Sequence, residues 1–361
     1  MDPSKGGPAY SVRESSSILA ARGHDVTVLT LDDAAHPPID PRSLNFLYIP
    51  IGKGIGGFSF NIKYFFWLVS NRSRFDLTII HGIWQWPSLA YRLARKSADK
   101  FIVMPHGSLD VWDRDVKKAK FIAKKLYWRF VELPLYRTAQ NAFFTAEDEL
   151  IAAQSQFTFS GVSGRVVPYG AVSVGAPRKN ILLSDRYTFG YMGRIHEKKG
   201  IELLLDVFAK VVNEFPEARL RIAGTGAKDY VDFLKNKCQI LNISKKVEWL
   251  GNVHGVTKHH MLTSIGLFVL PSFQENFGLA VAESLSVGTP VLLSEHVNVH
   301  KRVSAYSAGI VSGRTFDEFY AAMHCWITNP DLYQEFRDNS VKCFDNTMSL
   351  HKHVDCIEGV L

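Results

Sequence analysis

Strand-like and helix-like segments alternate along nearly the whole chain, and this alternation limits the possible folds more than any other feature. Twelve short runs rich in β-branched and aromatic residues are separated by longer segments with the period of an amphipathic helix. The runs begin at Asp25, Asn45, Leu77, Phe101, Asn141 and Val166, and then at Tyr187, Ala218, Lys246, Gly266, Thr289 and Ala308. Such alternation is typical of a parallel α/β sheet and argues against a β-sandwich or a helical bundle.

The two sets of six runs, in a chain of 361 residues, predict two doubly wound, Rossmann-like domains that face each other across a cleft. We place the first domain at 1–170 and the second at 185–340. The stretch 171–184 contains Gly, Pro and Ser without clear periodicity and is the predicted linker. Residues 341–361 are predicted to form a helical segment able to pack back on the first domain.

The start of the chain departs from this scheme. A helix is predicted over 10–22 and is ended by Gly23, so the loop 5–8 should follow a strand. Almost nothing precedes that loop. We therefore expect a vacant central position in the first sheet, and reduced stability.

Composition excludes several classes of protein. Hydrophobic residues make up 46% of the chain and charged residues 21%, which fits a globular protein rather than a disordered chain, a collagen or a coiled coil. No apolar run approaches the roughly 20 residues that cross a bilayer, and the first residues lack the apolar core of a signal peptide. The four cysteines form no C-x-x-C pair, so we expect reduced, mostly buried thiols and a cytoplasmic protein.

The segment 271–290 carries the strongest functional signal. Gly288, before a Thr-Pro pair, ends a helix predicted over 277–287, and Glu275 lies in the loop ahead of it. Free N–H groups at the start of this helix would form a phosphate cradle. The cradle residues are Asn276, Phe277, Gly278 and Leu279. Glu275 and Glu283 then suit the hydroxyl groups of a sugar and of a nucleotide ribose. The alternative is that Glu275 only interacts with the helix dipole and that Glu283 is a surface residue.

A second candidate site follows the run that starts at Tyr187. Gly193, Arg194 and Lys199 lie in the loop after this run. Two cations at a strand end are placed to bind a pyrophosphate and to offset the charge of a leaving group without a metal. An ordinary solvated basic loop is the alternative. Gly224 ends the next run on the same face of the predicted domain, and is a weak signal by itself.

Taken in order, the segments GRIHEKKG, RIAGTG, VEWLGNV and SFQENFGLAVAESLSVGTPV resemble those of retaining, nucleotide-sugar-dependent glycosyltransferases with the GT-B fold, of the family 4-like, E-x7-E type. The resemblance covers essentially the whole chain, since Gly6-Gly7 and the His-Gly pairs at 81–82 and 106–107 lie at strand ends of the first half. It implies a hexosyltransferase, with UDP-glucose as the default donor, in polysaccharide or glycolipid synthesis. The acceptor would be a saccharide or a lipid-linked molecule.

The resemblance also implies a mechanism and a role for each matching residue. Arg194 and Lys199 would bind the donor diphosphate, Glu283 the ribose and Glu275 the transferred sugar, while His106 would lie beside that sugar. Transfer would retain configuration and would need neither a metal nor a resident cofactor. Positively charged groups that stabilise the departing phosphate would contribute more than a general base. The implied catalytic residues are His106, Glu275, Arg194 and Lys199, and further donor-binding residues are Gly6, Gly7, Gly193, Gly224, Asn252, Val253, Asn276, Phe277, Gly278 and Leu279.

Three other patterns compete with this interpretation. Asp113 and Asp115 form the D-x-D pair of metal-dependent sugar transferases, but no apolar run precedes them, so we expect no metal site. Histidines near 254–260 and 296–300 lack a third ligand at a plausible spacing. The segment 52–57 matches G-x-G-x-x-G and would favour an NAD-dependent oxidoreductase, although Asp76 precedes the next strand instead of ending it.

Positive charge is concentrated in one stretch. The net charge is +7, and 114–137 holds eight basic and two acidic residues. Its apolar residues would either lie on an anionic membrane surface, at the inner face of the cytoplasmic membrane, or pack on the domain with the lysines in solvent. We expect no nucleic-acid partner, since no reader module is present. A non-catalytic nucleotide-sugar-binding scaffold is the alternative of a different class, and the oligomeric state is open.

Overall fold

The computed structural model describes residues 1, 7–109, 118–177 and 182–361. It divides into two compact units, one formed by Met1–Tyr169 with Leu350–Leu361 and the other by Gly170–Ser349. The segment 171–184 belongs to the second unit, and the segment 341–361 is divided between the two. Both units are α/β with parallel sheets, which confirms the predicted fold class.

Strands are present at eleven of the twelve predicted positions, and the sixth strand ends at Val166, where the predicted run begins. In the first unit, β1 and β2 pair with each other, and a separate parallel sheet has the order β3-β4-β5-β6. The bounds of these strands are Thr27–Thr30, Leu47–Pro50, Thr78–His81, Phe101–Met104, Asn141–Phe144 and Gly164–Val166. No strand among the described residues joins the two sheets, and the reduced stability expected for this unit stays a prediction.

The second unit contains one six-stranded parallel sheet with the order β12-β11-β10-β7-β8-β9. The strands from β7 to β12 are Thr188–Met192, Arg219–Ala223, Val247–Gly251, Leu267–Leu270, Val291–Ser294 and Gly309–Ser312. Every residue of β10 and β11 is buried, which explains why these strands are continuous apolar runs rather than alternating ones.

The helices between residues 62 and 156 cover one face of the four-stranded sheet, whereas the first helix packs against the β1–β2 pair. The helices are α1 (Gly7–Ala21), α2 (Ile62–Asn71), α3 (Trp86–Ala94), α4 (Lys118–Tyr127), α5 (Leu133–Tyr136) and α6 (Glu147–Gln156). A π-helical turn, Trp128–Glu132, joins α4 to α5. Leu68 of α2, Ala90 of α3 and Trp128 of the turn pack in one core with Phe101 and Phe144 of the sheet.

Helix α1 begins earlier than predicted. The expected start is residue 10, but the helix starts at Gly7. Pro8 is compatible with this position because a first helical turn needs no backbone N–H from proline. Gly7 is therefore the first residue of a helix and not part of a loop.

The second unit surrounds its sheet with seven helices among the described residues. They are α7 (Ile201–Glu214), α8 (Lys228–Ile240), α9 (Gly255–Thr263), α10 (Leu279–Ser286), α11 (His300–Ala305), α12 (Phe316–Thr328) and α13 (Pro330–Cys343). The last helix, α14 (Leu350–Glu358), belongs to the first unit and packs on α1. No helix in the described part of the chain is both long and apolar enough to span a bilayer.

Candidate functional site

The candidate site of the second unit lies at the carboxyl ends of β7 and β10. These strands are neighbours, and the strand order reverses between them, since β8 and β9 extend to one side and β11 and β12 to the other. Loops that leave a parallel sheet at such a reversal diverge and leave a crevice for a ligand. The sequence-predicted segments 193–200 and 271–278 are the loops at this point. The tertiary structure therefore brings the two strongest sequence signals together.

Lys199 and Glu275 form an ion pair that joins these two loops. Their side chains are 18% and 20% exposed. The N–H of Phe273 donates to the carbonyl oxygen of Lys198 at 2.8 Å, so the backbones of the two loops are also connected. Burial and the charges of Arg194 and Lys198 lower the pKa of Lys199 to about 8. The ammonium group is thus charged at neutral pH and can pair with Glu275 or with an anionic ligand.

Arg194 presents an exposed guanidinium group at the same strand end. Its carbonyl oxygen accepts a hydrogen bond from the Tyr191 hydroxyl at 2.9 Å, which anchors the backbone and leaves the side chain available. A guanidinium fork matches the oxygens of a phosphate group. An ordinary solvated basic loop would explain why Arg194 is exposed, but it would not explain why Lys199 is mostly buried.

Glycines at the ends of β7, β8 and β9 hold the strand ends close together. A Cβ atom on Gly224 would lie 1.8 Å from the carbonyl oxygen of Gly193, and Gly224 has φ +137°. The Gly224 N–H donates to the carbonyl oxygen of Gly251 at 2.6 Å. Asn252 and Val253 follow β9, two strands from β7 and hence about 10 Å away along the sheet.

Helix α10 is shorter than the predicted helix 277–287. Gly278 adopts φ +70° and is the N-cap, so the helix begins at Leu279, and Phe277 lies buried in the preceding loop. Asn276, also in this loop, accepts a side-chain hydrogen bond from Asn298 at 3.3 Å. The first N–H groups of a helix lack intrahelical partners and favour an anion. Of the cradle predicted at 276–279, only Leu279 is helical, Gly278 is the N-cap, and the first two residues lie in the loop.

The backbone of Glu275 is fixed by the loop that follows β11. Its N–H donates to the carbonyl oxygen of His296 at 3.1 Å, and its carbonyl oxygen accepts from the N–H of Asn298 at 3.0 Å. The expectation that Glu275 lies in a loop ahead of the helix is confirmed. This third loop was not recognised from the sequence, because the contact joins backbone atoms and leaves no residue pattern.

Glu283 is buried within α10 and bonds Lys258 of α9 at 2.8 Å. Burial raises the pKa of Glu283 despite the opposing charge of Lys258. The alternative that Glu283 is a surface residue is therefore wrong. Lys258 was missed by sequence reasoning, since nothing in its neighbourhood distinguishes it from other helical lysines.

His106 lies in the first unit, just after β4, with φ +51°. Its Nε2 atom is 2.9 Å from Nδ1 of His81, and the two rings are stacked. Burial and the nearby His353 lower the pKa of His106 to about 4, so the imidazole is neutral at pH 7. The next N–H, that of Gly107, donates to the buried carboxylate of Glu149 at 2.6 Å. His81 and Glu149 therefore hold the turn that carries His106.

The remaining sequence patterns give no second site. Gly6, Asp113, Asp115 and part of 114–137 lie outside the described residues. Among the described residues, no group of three His, Cys, Asp or Glu side chains could hold a metal ion. In the segment 52–57, Ile55 bridges Phe60 in antiparallel fashion and α2 begins only at Ile62. No glycine of this segment lies at a helix N-terminus, so the dinucleotide fingerprint is wrong.

Two family models match the chain. Residues 6–170 match the glycosyl transferase 4-like domain, and 176–342 match the glycosyl transferases group 1. A glycosyltransferase of Methanocaldococcus jannaschii is 38% identical over 104 residues, which are 29% of this chain and 26% of the relative. The phosphatidyl-myo-inositol mannosyltransferase of Mycobacterium tuberculosis is 31% identical over 107 residues, or 29% of this chain and 27% of the relative. The matched stretch thus spans about a quarter of each relative.

The fold is shared with solved structures over nearly the whole length. Anabaena Alr3699/HepE in complex with UDP-glucose superposes with a TM-score of 0.74 at 14% identity, covering 99% of this chain and 96% of that chain. At this identity the likeness concerns the fold, which is the GT-B arrangement of two Rossmann-like domains. With both halves matched by family models and the strand-end loops in place, the chain belongs to the group 1 and family 4-like glycosyltransferases with the GT-B fold.

Proposed function

We propose that this protein transfers a hexose from a nucleoside diphosphate sugar to a saccharide or lipid-linked acceptor, with retention of configuration and without a metal ion. The observation that carries the proposal is the Lys199–Glu275 ion pair at the point of strand reversal, beside Arg194 and the N-terminus of α10. UDP-glucose, the ligand of the Anabaena neighbour, is the donor we propose.

Donor binding would exchange the partner of Lys199. The diphosphate would bind Lys199, Arg194 and the first N–H groups of α10, all of which favour an anion. Once Lys199 pairs with phosphate, both carboxylate oxygens of Glu275 become available to hydroxyl groups of the transferred sugar. The ion pair seen in the structure would therefore be a resting state that the donor replaces.

The nucleoside would extend from this point across β8 towards β9. Glu283 has one oxygen bonded to Lys258, and its second oxygen could accept a hydrogen bond from a ribose hydroxyl. Gly224 lets the ends of β7 and β8 approach each other closely, and backbone groups at Asn252 and Val253 would bind the base.

The chemistry would depend on stabilising the departing phosphate. Negative charge builds on its oxygens as the glycosidic bond breaks, and Lys199, Arg194 and the helix N-terminus are fixed in place before the reaction. The same phosphate would take the proton of the acceptor hydroxyl that attacks from its own side of the sugar. His106 is neutral, so its implied role beside the sugar would be that of a hydrogen-bond partner and not of a cation.

The acceptor class is supported by a relative. The M. tuberculosis protein is named as a mannosyltransferase of phosphatidyl-myo-inositol, which is a lipid. A lipid-linked acceptor and a role in glycolipid or polysaccharide assembly at the cytoplasmic face of a membrane are therefore part of the proposal.

Calorimetric titration with UDP, GDP, ADP and NAD in the presence of a chelator tests the donor site. We expect one nucleoside diphosphate to bind selectively. Glu275→Gln should bind this diphosphate at least as tightly as the wild type, because Lys199 no longer has a competing carboxylate. It should lower sugar transfer at least about 100-fold, because Glu275 contacts the sugar and not the diphosphate. Glu217→Gln, at an exposed position before β8, is the matched control. Binding of NAD alone, or an active Glu275→Gln variant, would refute the proposal; selective binding without turnover in the wild type would indicate a scaffold.

A further inference from the structure

Three helical segments of the first unit each have one side in solvent: α2, α3, and α4 with the π-helical turn that follows it. Helix α3 packs against both α2 and the π-helical turn that follows α4. All of these segments bury their inner sides in the same core, through Leu68, Ala90 and Trp128. Their outer sides therefore form one surface, which we call the helical face.

The helical face is lined with exposed apolar side chains in stripes. On α2, Ile62, Phe66 and Val69 follow the spacing of one helix side, and Phe66 is 60% exposed. A second stripe continues from α4 into the π-helical turn. It consists of Ile122, Leu126 and Phe130, the last of which is 66% exposed, and Leu93 of α3 is exposed as well. Contiguous apolar patches on a soluble surface mark interaction sites.

The same segments carry no exposed carboxylate. Their only acidic residue is Glu132, which is buried and accepts hydrogen bonds from the Ser88 hydroxyl and the Trp84 N–H. Their sequences hold seven cations, Lys63, Arg92, Lys118, Lys120, Lys124, Lys125 and Arg129. Lys63, Lys125 and Arg129 are exposed, so the described part of the helical face has exposed cations and no exposed carboxylate.

Lysines at the second stripe lie along aromatic rings. Nζ of Lys124 is 5.0 Å from the centre of the Trp84 ring, and Nζ of Lys125 is 4.9 Å from that of Phe121. Each ammonium group therefore stands over a ring face, in a cation–π contact that keeps the positive charge beside the apolar side chains of the second stripe. The two sequence-based alternatives for 114–137 are thus not exclusive, since Trp128 packs inward while Ile122, Leu126 and Phe130 face out.

We propose that the helical face docks on an anionic lipid surface, with its apolar stripes at the boundary between headgroups and acyl chains and its cations on lipid phosphates. Exposed cations without exposed carboxylates match an anionic bilayer, and the exposed apolar side chains among them suit a fluid apolar layer better than nucleic acid. The proposal extends the sequence-based prediction from one segment to three helices. It goes beyond the proposed function, since docking requires no sugar transfer.

Vesicle co-sedimentation of the full chain tests the docking. We expect binding to phosphatidylcholine vesicles that contain phosphatidylglycerol, and at least tenfold weaker binding to phosphatidylcholine alone. Lys125→Gln with Arg129→Gln should weaken binding about 25-fold, since each cation near an anionic surface contributes about fivefold. Phe66→Gln with Leu126→Gln should weaken it at least about tenfold, because two apolar groups no longer enter the lipid.

Matched controls are available on other surfaces. Ile151→Gln and Ile240→Gln replace isoleucines that are 59% and 79% exposed and lie off the helical face, so they should bind vesicles like the wild type. Equal binding of wild type to both vesicle types, no binding, or unchanged binding of both double variants would overturn the proposal. A wild-type dimer in sedimentation that Phe66→Gln with Leu126→Gln dissociates would instead identify a contact between copies. UDP titration of the same samples reports the donor site separately, so failure of either proposal is distinguishable.

Discussion

Replacing Lys199 by methionine tests the central element of the donor site. Methionine keeps much of the length of the apolar stem and removes the ammonium group that pairs with Glu275. Since the Lys199 side chain is only 18% exposed, solvent screens its interaction with a phosphate weakly. A hydrogen bond to a charged group contributes about 1.5–3 kcal/mol, so the dissociation constant for UDP should rise about 10- to 150-fold.

The pH dependence gives a second, independent measure of the same interaction. The pKa of Lys199 is lowered to about 8, so the ammonium group is lost as the pH rises through that value. The terminal phosphate of UDP is already ionised above pH of about 7, so its own charge is constant in this range. Wild-type affinity should therefore fall between pH 7 and 9 towards that of Lys199→Met, whose affinity should stay level in this range.

Calorimetric titration at several pH values measures both effects. Lys245→Met, an exposed lysine before β9, is the control for loss of one positive charge. Glu275 is 20% exposed and can be solvated, so the variant should stay folded, which a urea unfolding curve would verify. A folded Lys199→Met variant that binds UDP within threefold of the wild type would refute the assignment of Lys199 to the diphosphate.

Three further substitutions test how the two units hold their sites. Lys258→Met should lower the free energy of unfolding, measured in urea, by about 3 kcal/mol, because it leaves the buried Glu283 without its cation. The double variant with Glu283→Met should restore stability, and a loss below about 1 kcal/mol in the single variant would contradict the reasoning. Gly224→Ala should abolish or strongly reduce folding or UDP binding, since its Cβ would lie 1.8 Å from a carbonyl oxygen. The new Cβ of Gly251→Ala would have no atom within 4 Å, so this variant should lose only about 1–2 kcal/mol of the free energy of unfolding. Similar behaviour of the two variants would argue against close strand ends. Glu149→Gln should lower the rate of sugar transfer while leaving UDP affinity unchanged, as measured by initial rates and calorimetry, and an unchanged rate would show that the turn does not need its carboxylate.

Much of the fold was predictable because its signals are local. Strands β10 and β11 of the second sheet are short apolar runs, and the run from Gly266 predicts a buried strand without reference to its neighbours. The end of α10 is likewise encoded by Gly288 before Thr-Pro. Its start was misplaced by two residues, because the left-handed backbone of Gly278 depends on the loop around it.

The pairing of strands and side chains was not predictable in this way. Lys199 and Glu275 are separated by 76 positions, and no local pattern says that β7 and β10 are neighbours. No local pattern pairs Lys258 with Glu283 either. Glu149 of α6 likewise accepts a hydrogen bond from the turn after β4, which lies far from it in the sequence. Such contacts depend on the strand order. That order in turn depends on how all the helices together bury their apolar sides against the sheet.

The sequence by itself determined the α/β class, the approximate positions of the strands and the loops that follow β7 and β10, because strand runs, helix ends and strand-end motifs each span a few adjacent positions. Only the tertiary structure decided that Lys199 faces Glu275, that Lys258 neutralises Glu283, and that one apolar stripe of α2 and one of α4 face solvent. A periodic apolar stripe looks the same whether it packs on its own domain or faces solvent. The difference depends on which side of the helix the sheet already occupies, and that is a property of the whole fold.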